Sequence, residues 1–168
     1  QKLLAVVADN GDDEMREAAR RQAAVAWQRA EEAMTFDHDR EVVEAVHSYG
    51  GLVFHDVISV KHARKAAEQG VDGVIAVCAG AGGHAGTISP FALVREIREF
   101  FDGTIILSGA MSSGGDVFAA QAIGADLAYI GTRFLATTEA HVLDEYKQMI
   151  VASGSDDVVY TNLFSGVK

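Results

Sequence analysis

Short runs of apolar residues alternate with longer amphipathic stretches along most of the chain, and that alternation predicts the secondary structure. Leu52–Phe54, Gly73–Val77, Thr104–Leu107 and Leu127–Ile130 are continuous apolar runs, the pattern of strands covered on both faces. Between and after them, apolar positions recur at helical spacing over Val60–Gln69, Pro90–Phe101, Gly115–Ile123 and Glu139–Ala152. The punctuation agrees. Gly70 and Gly124 stop helices, Pro90 suits a first helical turn where its missing N–H costs nothing, and Ser89 is a candidate N-cap. Strands and helices in alternation predict parallel βαβ units, similar in architecture but not otherwise in sequence.

The pattern changes upstream. Leu3–Ala8 is a candidate strand, and Asp12–Met34 a long Ala/Glu/Arg-rich helix with acidic residues in its first turn, where the helix dipole favours them. A further helix over Asp39–Tyr49 leads to Gly50-Gly51. Residues 1–40 therefore read as a strand and long helix set apart from residues 41–168, with no flexible linker between them.

Composition narrows the class. The chain has 168 residues, enough for one domain with a sizeable core, and is 49% apolar and 23% charged, as folded domains are. A net charge of −10 with no basic cluster argues against a nucleic-acid partner. The single cysteine, Cys78, excludes an internal disulfide and fits a reducing, cytoplasmic setting. No apolar stretch approaches the ~20 residues that cross a bilayer.

In parallel α/β folds, ligands bind at the carboxyl ends of the strands. Four loops fall there: "HDVIS", "CAGAGGHAG", "SGAMSSGGD" and "GTRFLAT". The last two place small residues where a strand gives way to a helix, so backbone N–H groups can reach a phosphate. In eight-stranded barrels, the phosphate site commonly lies in the loops after the last two strands. His84 stands among glycines and alanines; its position suits either a polar surface residue or a general base. His55 ends a strand and could face a pocket, while the remaining histidines form no metal-ligand pattern, so no metal is expected. Cys78 follows a strand directly and reads as buried and inert. Phe91, Phe100, Phe101 and Phe118 read as core, Tyr160 and Phe164 as possible pocket walls, and Arg133 as an exposed ion-pairing residue.

Taken together, "GAGGHAG", "SGAMSSGGD" and "IGTRFLAT" resemble the nitronate monooxygenase (2-nitropropane dioxygenase) family, a group that includes flavin-dependent enoyl-acyl-carrier-protein reductases. The resemblance runs from about Glu41 to the C-terminus. It implies a TIM-type parallel (β/α) barrel binding FMN, of which this chain supplies the last four strand–helix units, with the N-terminal helical segment unmatched. It implies that His84 is the catalytic base and that Gly82 and Gly83 before it bind the cofactor. It further implies that Ser108, Gly109, Ala110, Gly114, Gly131 and Thr132 line the phosphate site, Ala110 standing where the family has glycine. A complete barrel of this kind needs about 250 residues, so self-association or a completing partner segment is expected. The activity implied is oxidation of alkyl nitronates or nitroalkanes by O₂. The alternatives are an NAD(P)H-dependent reductase of an enoyl thioester or quinone, and a non-catalytic half-barrel that binds phosphate or assembles with a partner.

Overall fold

The computed structural model of the chain describes residues 3–6, 39–83 and 85–161. The long helix expected over Asp12–Met34 lies outside them. Five strands form one sheet in sequence order: β1 (Leu3–Val6), β2 (Leu52–Val57), β3 (Gly73–Val77), β4 (Thr104–Ser108) and β5 (Leu127–Tyr129). Strands β2 to β5 run parallel, whereas β1 pairs antiparallel with β2. Helices α1 (Asp39–His47), α2 (Val60–Glu68), α3 (Pro90–Arg98) and α4 (Gly114–Ala122) alternate with the strands. A short α5 (Thr132–Leu135) follows β5, and α6 (Asp144–Ala152) follows α5. The architecture is α/β, four parallel strands alternating with helices, part of a TIM-type barrel.

Strand alternation divides the core. Val53, Val57, Val74, Ala76, Cys78, Ile105 and Leu107 point to one face, where they pack against Val42, Val46, Leu93 and Ile97 of the helices. Phe54, Ile75, Val77 and Ile106 form a separate cluster on the other face. The register places Leu127 and Tyr129 opposite Ile106 and Ser108, on this second face, and both are half exposed. Gly73 opens β3 because the Phe54 ring occupies the space of any side chain there, and an added Cβ would also lie 2.6 Å from Thr104 O.

One backbone device occurs twice. Asp72 precedes β3; its N–H donates to Val53 O (2.9 Å), and its carboxylate accepts from Val53 N–H (2.7 Å). Asp126 precedes β5 and grips Ile105 in the same way, at 2.8 Å in both directions. Each carboxylate also meets a side chain at the end of a helix: the His47 imidazole at 2.8 Å for Asp72, the Arg98 guanidinium at 2.7 Å for Asp126. The signature is Gly-x-Asp (Gly70-Val71-Asp72 and Gly124-Ala125-Asp126). The units α1–β2–α2–β3 and α3–β4–α4–β5 therefore share sequence as well as architecture.

Burial pushes the Asp126 carboxyl up, but the Ile105 N–H and the Arg98 guanidinium outweigh it and hold the group below its ordinary value. A depressed carboxylate stabilises the fold fully above its unfolded-state pKa, and that contribution fades as pH falls through the folded-state value. Asp126→Asn should lower stability by about 1 kcal/mol at neutral pH, a small figure because the pair is half solvated. Urea midpoints measured at neutral pH and at pH 3 check this, since the gap between variant and parent should narrow in acid.

Several expectations change in detail. Strand β2 continues through His55 and Asp56 to Val57, because pairing with β3 carries the polar residues along. Helix α6 starts at Asp144 rather than Glu139. Ser89 is the α3 N-cap by position, but its side chain makes no capping bond. Phe101 is buried, and Phe100 packs against the core beneath Arg64, whose guanidinium lies 3.9 Å from the ring centroid. Phe91 and Phe118 are not core: both are largely exposed on their helices. No described helix is long and apolar enough to cross a membrane.

Candidate active site

Three loops meet at the carboxyl ends of β3, β4 and β5. The β3 loop stays tied to the sheet, with Cys78 N–H donating to Ser108 O (2.8 Å) and Ala79 N–H to Ile88 O (3.0 Å). Across the loop, Ala110 N–H donates to Gly80 O at 3.1 Å. Gly80 is left-handed (φ +83°), and a Cβ built there would stand 2.7 Å from Ala110 Cβ. Ala110 is itself left-handed (φ +47°), a conformation costly to any residue with a side chain. Further along, a Cβ at Gly82 would lie 3.9 Å from Thr132 Oγ1, so the β3 loop also reaches the start of α5. Gly82, Gly109, Ala110 and Thr132 thus share one surface. His84 lies outside the described residues. After it the loop is pinned again: Ala85 N–H donates to Gly83 O (2.9 Å), and Gly86 packs with no room for a side chain against Val77 O and Ile58.

The amide supply of the β4 loop is selective. Asp116 forms a capping box with Ser113 at the start of α4, its carboxylate accepting from Ser112 N–H (2.9 Å), Ser113 N–H (2.8 Å) and the Ser113 hydroxyl (2.8 Å). These bonds, the one from Ser112 N–H foremost, hold the Asp116 carboxyl below its ordinary value. Ala110 N–H is committed to Gly80 O, whereas the amides of Gly114 and Gly115 stand ahead of the first bonds within α4. Among the described residues, no atom would lie within 4 Å of a Cβ added at Gly114 or at Gly131, so none of them closes either approach. Gly131 is the N-cap of α5, whose first turn begins at Thr132. Ser108, at the end of β4, is half-buried on the second face. Such turns have the chemistry to meet a phosphate group through backbone N–H, with Ala110 removed from the donors by its bond to Gly80.

Two pocket candidates separate. His55 alternates onto the helix-covered face with Val53 and Val57; it is buried there, with Nδ1 2.9 Å from Asp56 O. The strand's period of two therefore turns it away from the open face, and Asp56 takes the place facing that side. Tyr160 does reach the site, its hydroxyl accepting from Gly80 N–H at 2.7 Å. Cys78 is fully buried, and burial pushes its thiol up to about 11, which keeps it inert. Among the described residues, no group of three or more His, Cys, Asp or Glu side chains could hold a metal.

Four parallel strands alternating with helices, with glycine-rich turns at the strands' carboxyl ends, define the class: part of a TIM-type α/β barrel. The nitronate monooxygenase sequence profile matches residues 12–168, and the chain belongs to that family. The profile match begins upstream of Glu41, where the motif resemblance starts. A nitronate monooxygenase of Neurospora crassa is 33% identical over 129 residues, covering 70% of this chain and 33% of that protein. Among solved structures, FabK from Thermotoga maritima superposes with a TM-score of 0.68 at 33% identity, covering 73% of this chain and 40% of that one. The nitroalkane oxidase of Streptomyces ansochromogenes gives a TM-score of 0.60 at 34% identity, covering 66% of this chain and 35% of that one. The chain spans about a third of the length of the curated relatives it matches. It is a member of an oxidoreductase family whose enzymes are flavin-dependent.

Proposed function

We propose that this chain carries the phosphate grip and the base of an FMN-dependent enzyme that oxidises alkyl nitronates with O₂, and nitroalkanes after deprotonation. The observation that supports this reading best is the meeting of the β3, β4 and β5 loops, with two open helix N-termini beside the loop that bears His84. Gly114, Gly131 and Thr132 hold the phosphate through backbone N–H groups. Gly82 and Gly83 leave the approach to the ring system free of side chains. His84 takes the α-proton of a neutral nitroalkane, or steadies a nitronate that is already anionic. When bound, FMN supplies the redox chemistry. The substrates are a small nitroalkane or nitronate and O₂, and the setting is cytoplasmic, in keeping with a lone, buried thiol.

Titration with FMN tests the reading first. Saturating FMN, at about 100 times its Kd, should stabilise the chain by about 2.7 kcal/mol in thermal or urea unfolding. A sample that stays colourless and gains no stability with FMN contradicts the proposal. Anaerobic mixing then separates the chemistries: bleaching by a nitronate supports the oxidase, whereas bleaching only by NAD(P)H assigns a reductase.

A further inference from the structure

Beyond α6 the chain returns to the ligand end of the sheet, and Tyr160 makes its long-range contact there. Its hydroxyl accepts from the N–H of a residue 80 positions away, Gly80. The carbonyl of the same glycine accepts from Ala110 N–H. Gly80 thus joins three segments: the C-terminal strap, the β3 loop and the β4 loop. Both residues at the junction are left-handed, one of them an alanine. Left to itself, an alanine falls back to negative φ; it stays at +47° only where its surroundings over-determine it.

We infer that Tyr160 is a positioning residue for the phosphate loop: by holding Gly80 it holds Ala110, and so fixes the path from Ser108 to the start of α4. The ligand in this inference rests on the flavin reading above; the contact does not. With the Tyr160 bond gone, the Gly80 N–H turns to solvent, the Gly80 carbonyl loses its fixed direction, and Ala110 relaxes. The amides of Gly114 and Gly115 then meet the phosphate less well aligned. The parts of a flavin remote from the phosphate are indifferent to that change.

Tyr160→Phe keeps the ring and removes the acceptor. Binding of FMN and of riboflavin, which lacks the phosphate, should be titrated for the parent, Tyr160→Phe and Tyr160→Ala. The expected result is about fivefold weaker FMN binding in both variants, the worth of roughly one hydrogen bond, with riboflavin binding unchanged. An unchanged FMN Kd overturns the inference. Equal loss for both flavins also overturns it, because it signals general loosening. Amide hydrogen exchange in the flavin-free chain provides a second readout, with Gly80 and Ala110 exchanging faster in Tyr160→Phe than in the parent. Unchanged exchange rejects the latch whatever the flavins do. A parent chain that binds neither flavin overturns the flavin reading and the phosphate part of this inference, and exchange alone then decides the latch.

Discussion

His84→Ala is expected to lower turnover of a neutral nitroalkane by about two to four orders of magnitude, the usual worth of a positioned general base. The same substitution should change turnover of the pre-formed nitronate far less, because that substrate has already lost its proton. FMN affinity should stay near the parental value, since the proposed phosphate donors lie in the β4 and β5 loops. The loop suits this role because it is anchored on both sides of residue 84. Gly80 is tied to Tyr160 and Ala110, and Gly86 is wedged against Val77 and Ile58. A base works best from a seat that does not have to be organised during the reaction. Oxygen uptake measured with a nitroalkane and with its nitronate checks the expectation. Equal losses on the two substrates would assign His84 to binding rather than proton transfer, and no loss on either would remove it from the chemistry.

What could be read from the sequence, and what could not, follows the reach of each interaction. Gly73–Val77 is a strand in pattern and in structure because a segment covered on both faces must be apolar throughout. Helix starts at Val60 and Pro90 agree as well, since their signals are local: Ser59 caps the first turn of one, and proline opens the other. The end of β2 was hidden because His55 and Asp56 join the ladder through pairing, a tertiary effect that outweighs their polarity. Phe91 and Phe118 show the opposite limit: helical spacing gives the face a side chain occupies, but not whether any neighbour covers that face. His55 was assignable in principle, because counting in twos from Val53 turns it toward the helices. The repeated Gly-x-Asp clamp was also visible, but its meaning depends on backbone partners about twenty residues upstream of each aspartate. The site's chemistry came from motif resemblance, because small residues in a loop satisfy many purposes on spacing alone. Nothing local marks Gly80 among its neighbouring glycines; its partners are Tyr160, 80 residues on, and an alanine that follows the adjacent strand.

Gly80→Ala should therefore be a strongly damaging single-methyl change in the site, costing about 2–4 kcal/mol. Part of that cost is conformational, because φ +83° disfavours any residue with a Cβ. The rest is steric: the new methyl would stand 2.7 Å from Ala110 Cβ, and neither atom belongs to a flexible side chain that could swing away. Relief requires the β3 and β4 loops to part, which breaks the Ala110–Gly80 bond and pulls Gly80 from the Tyr160 hydroxyl. Gly83→Ala separates the two contributions. Gly83 has nearly the same φ (+81°), with no atom of the described residues within 4 Å of an added Cβ, so it should lose only the conformational part, about 1–2 kcal/mol. Adding Ala110→Gly to Gly80→Ala removes the opposing methyl and should recover the steric part, leaving the double variant close to Gly83→Ala. Urea unfolding of the parent, Gly80→Ala, Ala110→Gly and the double variant gives the coupling directly, the Ala110→Gly single correcting for the relief of its own left-handed strain. If Gly80→Ala proves no worse than Gly83→Ala, or if Ala110→Gly restores nothing, the two loops do not bear on each other at this junction. The seat of the phosphate loop must then be sought elsewhere.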